Sequence, residues 1–140
     1  MKIICIGRNY VEHIEELNNI KESKPLIFLK PETAIQPKNH PFFIPDFSDN
    51  VQYELEILLK ICKLGKNIDE KFAYKYYNEI GLGIDFTARD LQNNLKTKGK
   101  PWEIAKGFDG SAKISHEFIK KNELILDNID FFLKLNNEIV

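Results

Sequence analysis

Six titratable side chains stand in apolar or glycine-rich surroundings: His13, Glu16, Glu54, Glu56, Asp85 and Lys106. Their types suit a hard-metal site with an acid-base pair beside it. Glu54 and Glu56 lie in the largely apolar run 51–59, and residues two apart in a strand point to one side. Two carboxylates on a partly buried face repel each other and are poorly solvated, which favours protonation of one; a divalent cation between them removes both penalties. With Asp85 they supply three oxygen donors, a set suited to Mg2+ or Mn2+ with positions left for water or substrate. Zinc calls for Cys or His, and calcium for more protein oxygens from a dedicated loop. Spacing alone also allows a solvated strand face for the glutamates and a turn carboxylate for Asp85.

His13 and Glu16, three apart, are neighbours on one face of a helix. A carboxylate beside an imidazole orients it and favours the imidazolium formed when it takes a proton from water, which makes the pair a candidate general base. A plain surface contact has the same spacing. Lys106, between Ala105 and Gly107, could polarise a substrate carbonyl or carboxylate from a close-packed turn, or be an exposed lysine. Arg89 and Gln92 fall on the first turns of the helix expected after Asp85, where a helix N-terminus favours anions, and are otherwise ordinary helix surface.

The elements that must position these groups alternate along the chain. A strand over 2–6 leads through Gly7, Arg8 and Asn9 into a helix with Tyr10, Ile14 and Leu17 on its apolar stripe, capped by Asn9 with Glu12 three residues on. A strand over 26–29 follows. Pro31, Pro37, Pro41 and Pro45 then exclude long regular structure, and this stretch is expected to wrap a surface or cover a site. The strand carrying Glu54 and Glu56 runs towards Gly65. Asn67 and Glu70 predict a capped helix through Phe72, Tyr76 and Tyr77; 80–86 reads as a strand; and Thr87 with Asp90 has capping-box spacing for a helix carrying Leu91 and Leu95 and ending near Gly99. Residues 106–110 are turn-rich. Alternation returns at Ile129, Phe131, Leu133 and Leu135, with Asn136-Asn137 as a hairpin turn.

Composition narrows the classes. A chain of 140 residues, 43% hydrophobic and 11% aromatic, can bury a core within one domain. A net charge of -1 with dispersed lysines and arginines disfavours a nucleic-acid partner. Cys5 and Cys62 are too few for a disulfide framework and sit in apolar runs, so both are expected as buried thiols in the cytoplasm. The apolar run 3–6 is too short for a signal peptide or a membrane span. Only Glu138, Ile139 and Val140 remain for the returning arm of the last hairpin, which would leave an open edge. The 140 residues are therefore expected to be the N-terminal and central part of a larger catalytic domain.

Motifs follow one another along nearly the whole chain: Gly7-Arg8-Asn9-Tyr10 with His13 and Glu16; Phe28-Leu29-Lys30-Pro31 with Thr33-Ala34-Ile35; Tyr53-Glu54-Leu55-Glu56; the run from Asp85 through Gln92; and Pro101-Trp102 with Lys106-Gly107-Phe108-Asp109. Through these motifs and their order the chain resembles the fumarylacetoacetate hydrolase family. The resemblance is to small single-domain members, which include acylpyruvate hydrolases, oxaloacetate decarboxylases and 2-hydroxyhepta-2,4-diene-1,7-dioate isomerases. It implies a β-rich α+β fold with a mixed, rolled sheet and short helices, usually as a homodimer. It also implies Mg2+ or Mn2+ held by Glu54, Glu56 and Asp85, a water-activating dyad of His13 and Glu16, and Lys106 as electrostatic partner of the substrate. Arg8, Tyr10, Arg89 and Gln92 are the implied substrate-binding residues. The implied reaction is cleavage of a carbon-carbon bond in an acylpyruvate-type 1,3-diketo acid through a metal-stabilised enolate, with decarboxylation or isomerisation at the same site as the alternative. A non-catalytic metal-binding or dimerising fragment is the reading of another class, because the family's later Thr-Gly-Thr-Pro and Gly-Val-Gly segments have no counterpart here.

Overall fold

β-Branched residues dominate the first strand, β1 (Ile3–Gly7), which pairs antiparallel with β2 (Leu26–Lys30). The structure, a computed structural model, describes residues 1–10 and 24–140. The expected first helix, its Asn9–Glu12 cap and the His13–Glu16 pair lie outside the described residues. Further elements are β3 (Val51–Ile61), β4 (Tyr77–Ala88), α1 (Arg89–Thr97), the single-turn α2 (Glu103–Lys106), β5 (Ala112–Ile114), β6 (Ile119–Lys120) and the hairpin β7 (Lys134–Leu135) and β8 (Glu138–Ile139). Strands run β3-β4-β5 in a four-stranded sheet, with β6 also paired to β4. The fold is α+β and strand-rich, with open sheets and short helices, in the class the sequence implies.

The chain divides into two compact units, residues 1–52 with 86–112, and residues 53–85 with 113–140. In the first, register sets Cys5 opposite Phe28 and Ile3 opposite Lys30, so Phe28 and Lys30 share one face of β2. The core is Ala88, Leu95 and Ala105, flanked by Leu91, Trp102 and Phe108. Helix α1 buries Arg89, Gln92 and Leu95, a three-residue spacing that makes one face, polar at its start and apolar at its end. The proline-rich stretch forms a 3-10 turn, Glu32–Ala34, and a single parallel bridge from Ile35 to Ala112, in keeping with prolines that exclude long regular structure.

In the second unit β4 buries Gly81, Gly83 and Asp85 at alternate positions. Gly83 admits no side chain, because a Cβ there would lie 2.8 Å from the Lys113 carbonyl and 2.9 Å from Leu58 Cδ1. The predicted helix from Asn67 to Tyr77 is instead a 3-10 turn, Glu70–Lys75. Asn67 is left-handed (φ 54°) and Tyr77 already begins β4, so Phe72 and Tyr74 lie in the 3-10 turn, Tyr76 caps it and only Tyr77 joins the strand. The Asn136-Asn137 turn is as expected, with φ of 51° and 70°. Its arms are two residues each, so the alternation over 129–133 is not strand. Cys5 is half-buried and Cys62 exposed, which corrects the expectation of two buried thiols; Cys62 is the residue just past the end of β3.

The capping box also fails. Ala88 is the N-cap residue, without a side-chain cap, and Thr87 is still strand. Thr87 and Asp90 each have another partner.

Candidate active site

Lys106 closes the single turn of α2 rather than lying in open turn, and its side chain is 2% exposed. Its Nζ donates to Thr87 Oγ1 at 2.6 Å and lies 5.4 Å from the centre of the Phe28 ring. Gly107, next along, packs closely: a Cβ there would meet Glu103 O at 3.0 Å and Pro31 Cδ at 3.2 Å, so a side chain would require a neighbour to shift by a few tenths of an ångström. Phe28 also packs on Trp102, with centroids 5.9 Å apart. The inward face of β2 thus frames the lysine from below. An ammonium in such a setting has no bulk water to screen it, which strengthens its field on any oxygen it meets.

A second lysine supports the first. Lys30, 3% exposed, donates from Nζ to the main-chain carbonyl of Lys106, to Ser111 O at 3.0 Å, to Ser111 Oγ at 3.0 Å and to Phe86 O at 3.4 Å. Ser111 Oγ in turn donates to Lys106 O at 2.8 Å.

Arg89 is buried at the start of α1. Its Nε donates to Gln52 Oε1 at 2.7 Å and its Nη1 to Gln92 Oε1 at 2.5 Å. The two predicted anion-binding residues are therefore in direct contact, and Gln92 fixes the guanidinium plane. Asp90 turns the other way: its carboxylate accepts from Ser48 Oγ at 2.6 Å, from Leu91 N at 2.9 Å and from Asp49 N at 3.1 Å. The Ser48 hydroxyl, above all, holds its pKa below the ordinary aspartate value of 3.8. Arg8, the residue after β1, is in the left-handed region (φ 56°), uncommon for a non-glycine residue, and is half-buried, as is Tyr10.

Of the expected metal ligands, Glu54 and Glu56 are half-buried on β3, and Asp85, 7% exposed, is on the neighbouring β4. Donor type and placement on adjacent strands suit a hard divalent cation. Among the described residues, however, no three His, Cys, Asp or Glu side chains converge into a group able to hold a metal ion. The three carboxylates are thus of the right kind without forming a closed ligand set.

Lys30, Thr87 and Ser111 are not among the candidate site residues that type and spacing offer, Thr87 being expected only as a helix cap. Lys30 carried a signal: in the strand Leu26–Lys30 it has the same parity as Phe28, so an inward Phe28 makes an inward lysine. Thr87 and Ser111 carried none beyond their neighbours.

The profile of the family Fumarylacetoacetate (FAA) hydrolase C-terminal matches residues 2–140. The chain is 39% identical over 139 residues to the mitochondrial oxaloacetate tautomerase FAHD1 of Bos taurus, an alignment that takes in 98% of this chain and 62% of that protein. Among solved structures, a fumarylacetoacetate hydrolase family protein from Yersinia pestis CO92 superposes with a TM-score of 0.80 at 40% identity, over 87% of this chain and 56% of the other. Fumarylpyruvate hydrolase from Pseudomonas aeruginosa, solved in complex with Mn2+ and pyruvate, gives 0.75 at 35% identity, over 81% and 51%. The chain spans less than two thirds of the length of each of these relatives.

Proposed function

The chain belongs to the fumarylacetoacetate hydrolase C-terminal family, and from that premise we propose that it acts in divalent-metal-dependent hydrolysis of a small acylpyruvate-type 1,3-diketo acid. Water adds to the distal carbonyl, the carbon-carbon bond breaks towards the 2-oxo acid half, and a carboxylic acid and pyruvate result once the enolate carbon takes up a proton. The observation that carries this reading is the buried Lys106 ammonium, fixed on Thr87 Oγ1 and poised to stabilise an oxygen that gains negative charge.

Each residue has a role in this reading. Arg89, held flat by Gln52 and Gln92, offers the planar donor set that suits a carboxylate, and a pre-oriented guanidinium loses little freedom on binding it. Arg8 and Tyr10 complete the substrate contacts. His13 and Glu16 take the proton from the attacking water. Glu54, Glu56 and Asp85 would hold Mg2+ or Mn2+, which, when bound, supplies Lewis-acid stabilisation to a chelating 2-oxo carboxylate. The Mn2+ and pyruvate of the Pseudomonas aeruginosa relative support a divalent ion and a 2-oxo acid as the ligand class.

A second reading, interconversion of the keto and enol forms of oxaloacetate, draws on the name of the Bos taurus relative. It needs the same enolate stabilisation without the attacking water. Acetylpyruvate and oxaloacetate, each incubated with the protein and Mn2+, separate the two: acetate and pyruvate from the first support hydrolysis, whereas accelerated enol decay of oxaloacetate with intact acetylpyruvate supports tautomerisation. Neither change above the metal-only rate would refute both.

A further inference from the structure

We propose that Lys30 is a positioning residue that fixes the Lys106 ammonium by clamping the main chain beneath it; the proposal rests on the reading of Lys106 as the group that meets the substrate. A helix of four residues cannot hold its shape by its own hydrogen bonds. Its last carbonyls lack intrahelical partners and carry partial negative charge. Lys30 meets that need at the residue that matters, since its Nζ donates to Lys106 O.

The same ammonium reaches two more segments. Its further contacts include Ser111, immediately before β5, and the carbonyl of Phe86, the residue before Thr87. Lys106 is therefore held at both ends by one group: its main chain directly, and the Thr87 acceptor of its Nζ through the adjoining peptide. Ser111 Oγ completes the clamp by donating to Lys106 O. Three N–H donors on one tetrahedral nitrogen can serve three separate main-chain segments, which no neutral side chain of this length can do. An apolar residue would be at least as good for cohesion alone, because a buried ammonium carries a desolvation cost. What the charge adds is a fixed place for the α2 terminus.

Amine acetylation, read lysine by lysine by mass spectrometry, tests this without relying on turnover. Lys30→Met should raise Lys106 acetylation about tenfold, while Leu95→Ala, compared at matched global stability, leaves it unchanged. Unchanged Lys106 acetylation in Lys30→Met, or an equal rise in Leu95→Ala, would overturn the clamp. Should Lys30→Met not fold, the wild-type protein gives the answer: Lys30 and Lys106 are protected together, about tenfold or more relative to exposed Lys66, and Lys30 labelled as fast as Lys66 would overturn the proposal. Oxalate with Mn2+ should further shield wild-type Lys106. Its failure to do so would overturn the substrate reading and with it the positioning role, a result distinct from unchanged labelling in Lys30→Met.

Discussion

The Lys106 ammonium donates to the Thr87 hydroxyl across 2.6 Å, with both side chains sealed from solvent. A threonine that by spacing would cap α1 instead ends β4 and turns its oxygen to the lysine. That exchange costs the helix a side-chain cap and gives a buried cation a fixed acceptor.

Thr87→Val keeps the shape and removes the acceptor. It should cost about 1–3 kcal/mol of stability, read by urea unfolding, and should weaken oxalate binding in the presence of Mn2+. Unaltered stability with unaltered oxalate affinity would mean that the contact has no part in either.

Arg89→Lys removes the fork that reaches Gln52 and Gln92 together. A lysine cannot span both acceptors in one plane. Unfolding experiments should show a loss of about 1–3 kcal/mol, with pyruvate binding weakened further; a silent substitution would remove Arg89 from the site.

Ser48→Ala tests the Asp90 hydrogen bond through its pH dependence. The folded-state pKa of Asp90 is depressed, so its contribution is present above the unfolded value of 3.8 and is lost as pH falls through the lower folded value. The variant should be less stable than wild type by about 1 kcal/mol at pH 7, and the gap should close as pH falls below 3.8. A gap constant with pH would rule out the bond to a carboxylate.

Much of this arrangement is legible in the residues. The apolar run 26–29 and the segment 80–86 mark two strands, Asn136-Asn137 marks its turn, and Arg89 with Gln92 stand three apart at the start of the helix after Asp85, although their burial is seen only in the structure. What is not legible depends on partners distant in sequence. Thr87 has the spacing of a cap, and only the return of Lys106 nineteen residues later gives its hydroxyl another use. Tyr77 fits an apolar helical stripe as well as a strand, and pairing in the sheet makes it the first residue of β4, while Tyr76 ends the 3-10 turn. Lys30 looks like a surface lysine until its parity with Phe28 is noticed.

Gly83→Ala probes the close approach on β4. The added Cβ would stand 2.8 Å from a main-chain carbonyl that cannot swing aside, and overpacking of this kind costs about 1–3 kcal/mol. Thermal unfolding should show the loss; an unchanged melting temperature would mean that the strand relaxes freely there.

Calorimetric titration of the wild-type protein and Glu56→Gln with Mn2+, followed by oxalate, tests the central claim most directly. Wild type should bind Mn2+ and then take oxalate only when the metal is present, and Glu56→Gln should lose about tenfold or more in metal affinity. Oxalate binding independent of Mn2+, or equal metal affinity in the two proteins, would contradict a metal-assisted 2-oxo acid site built on Glu56.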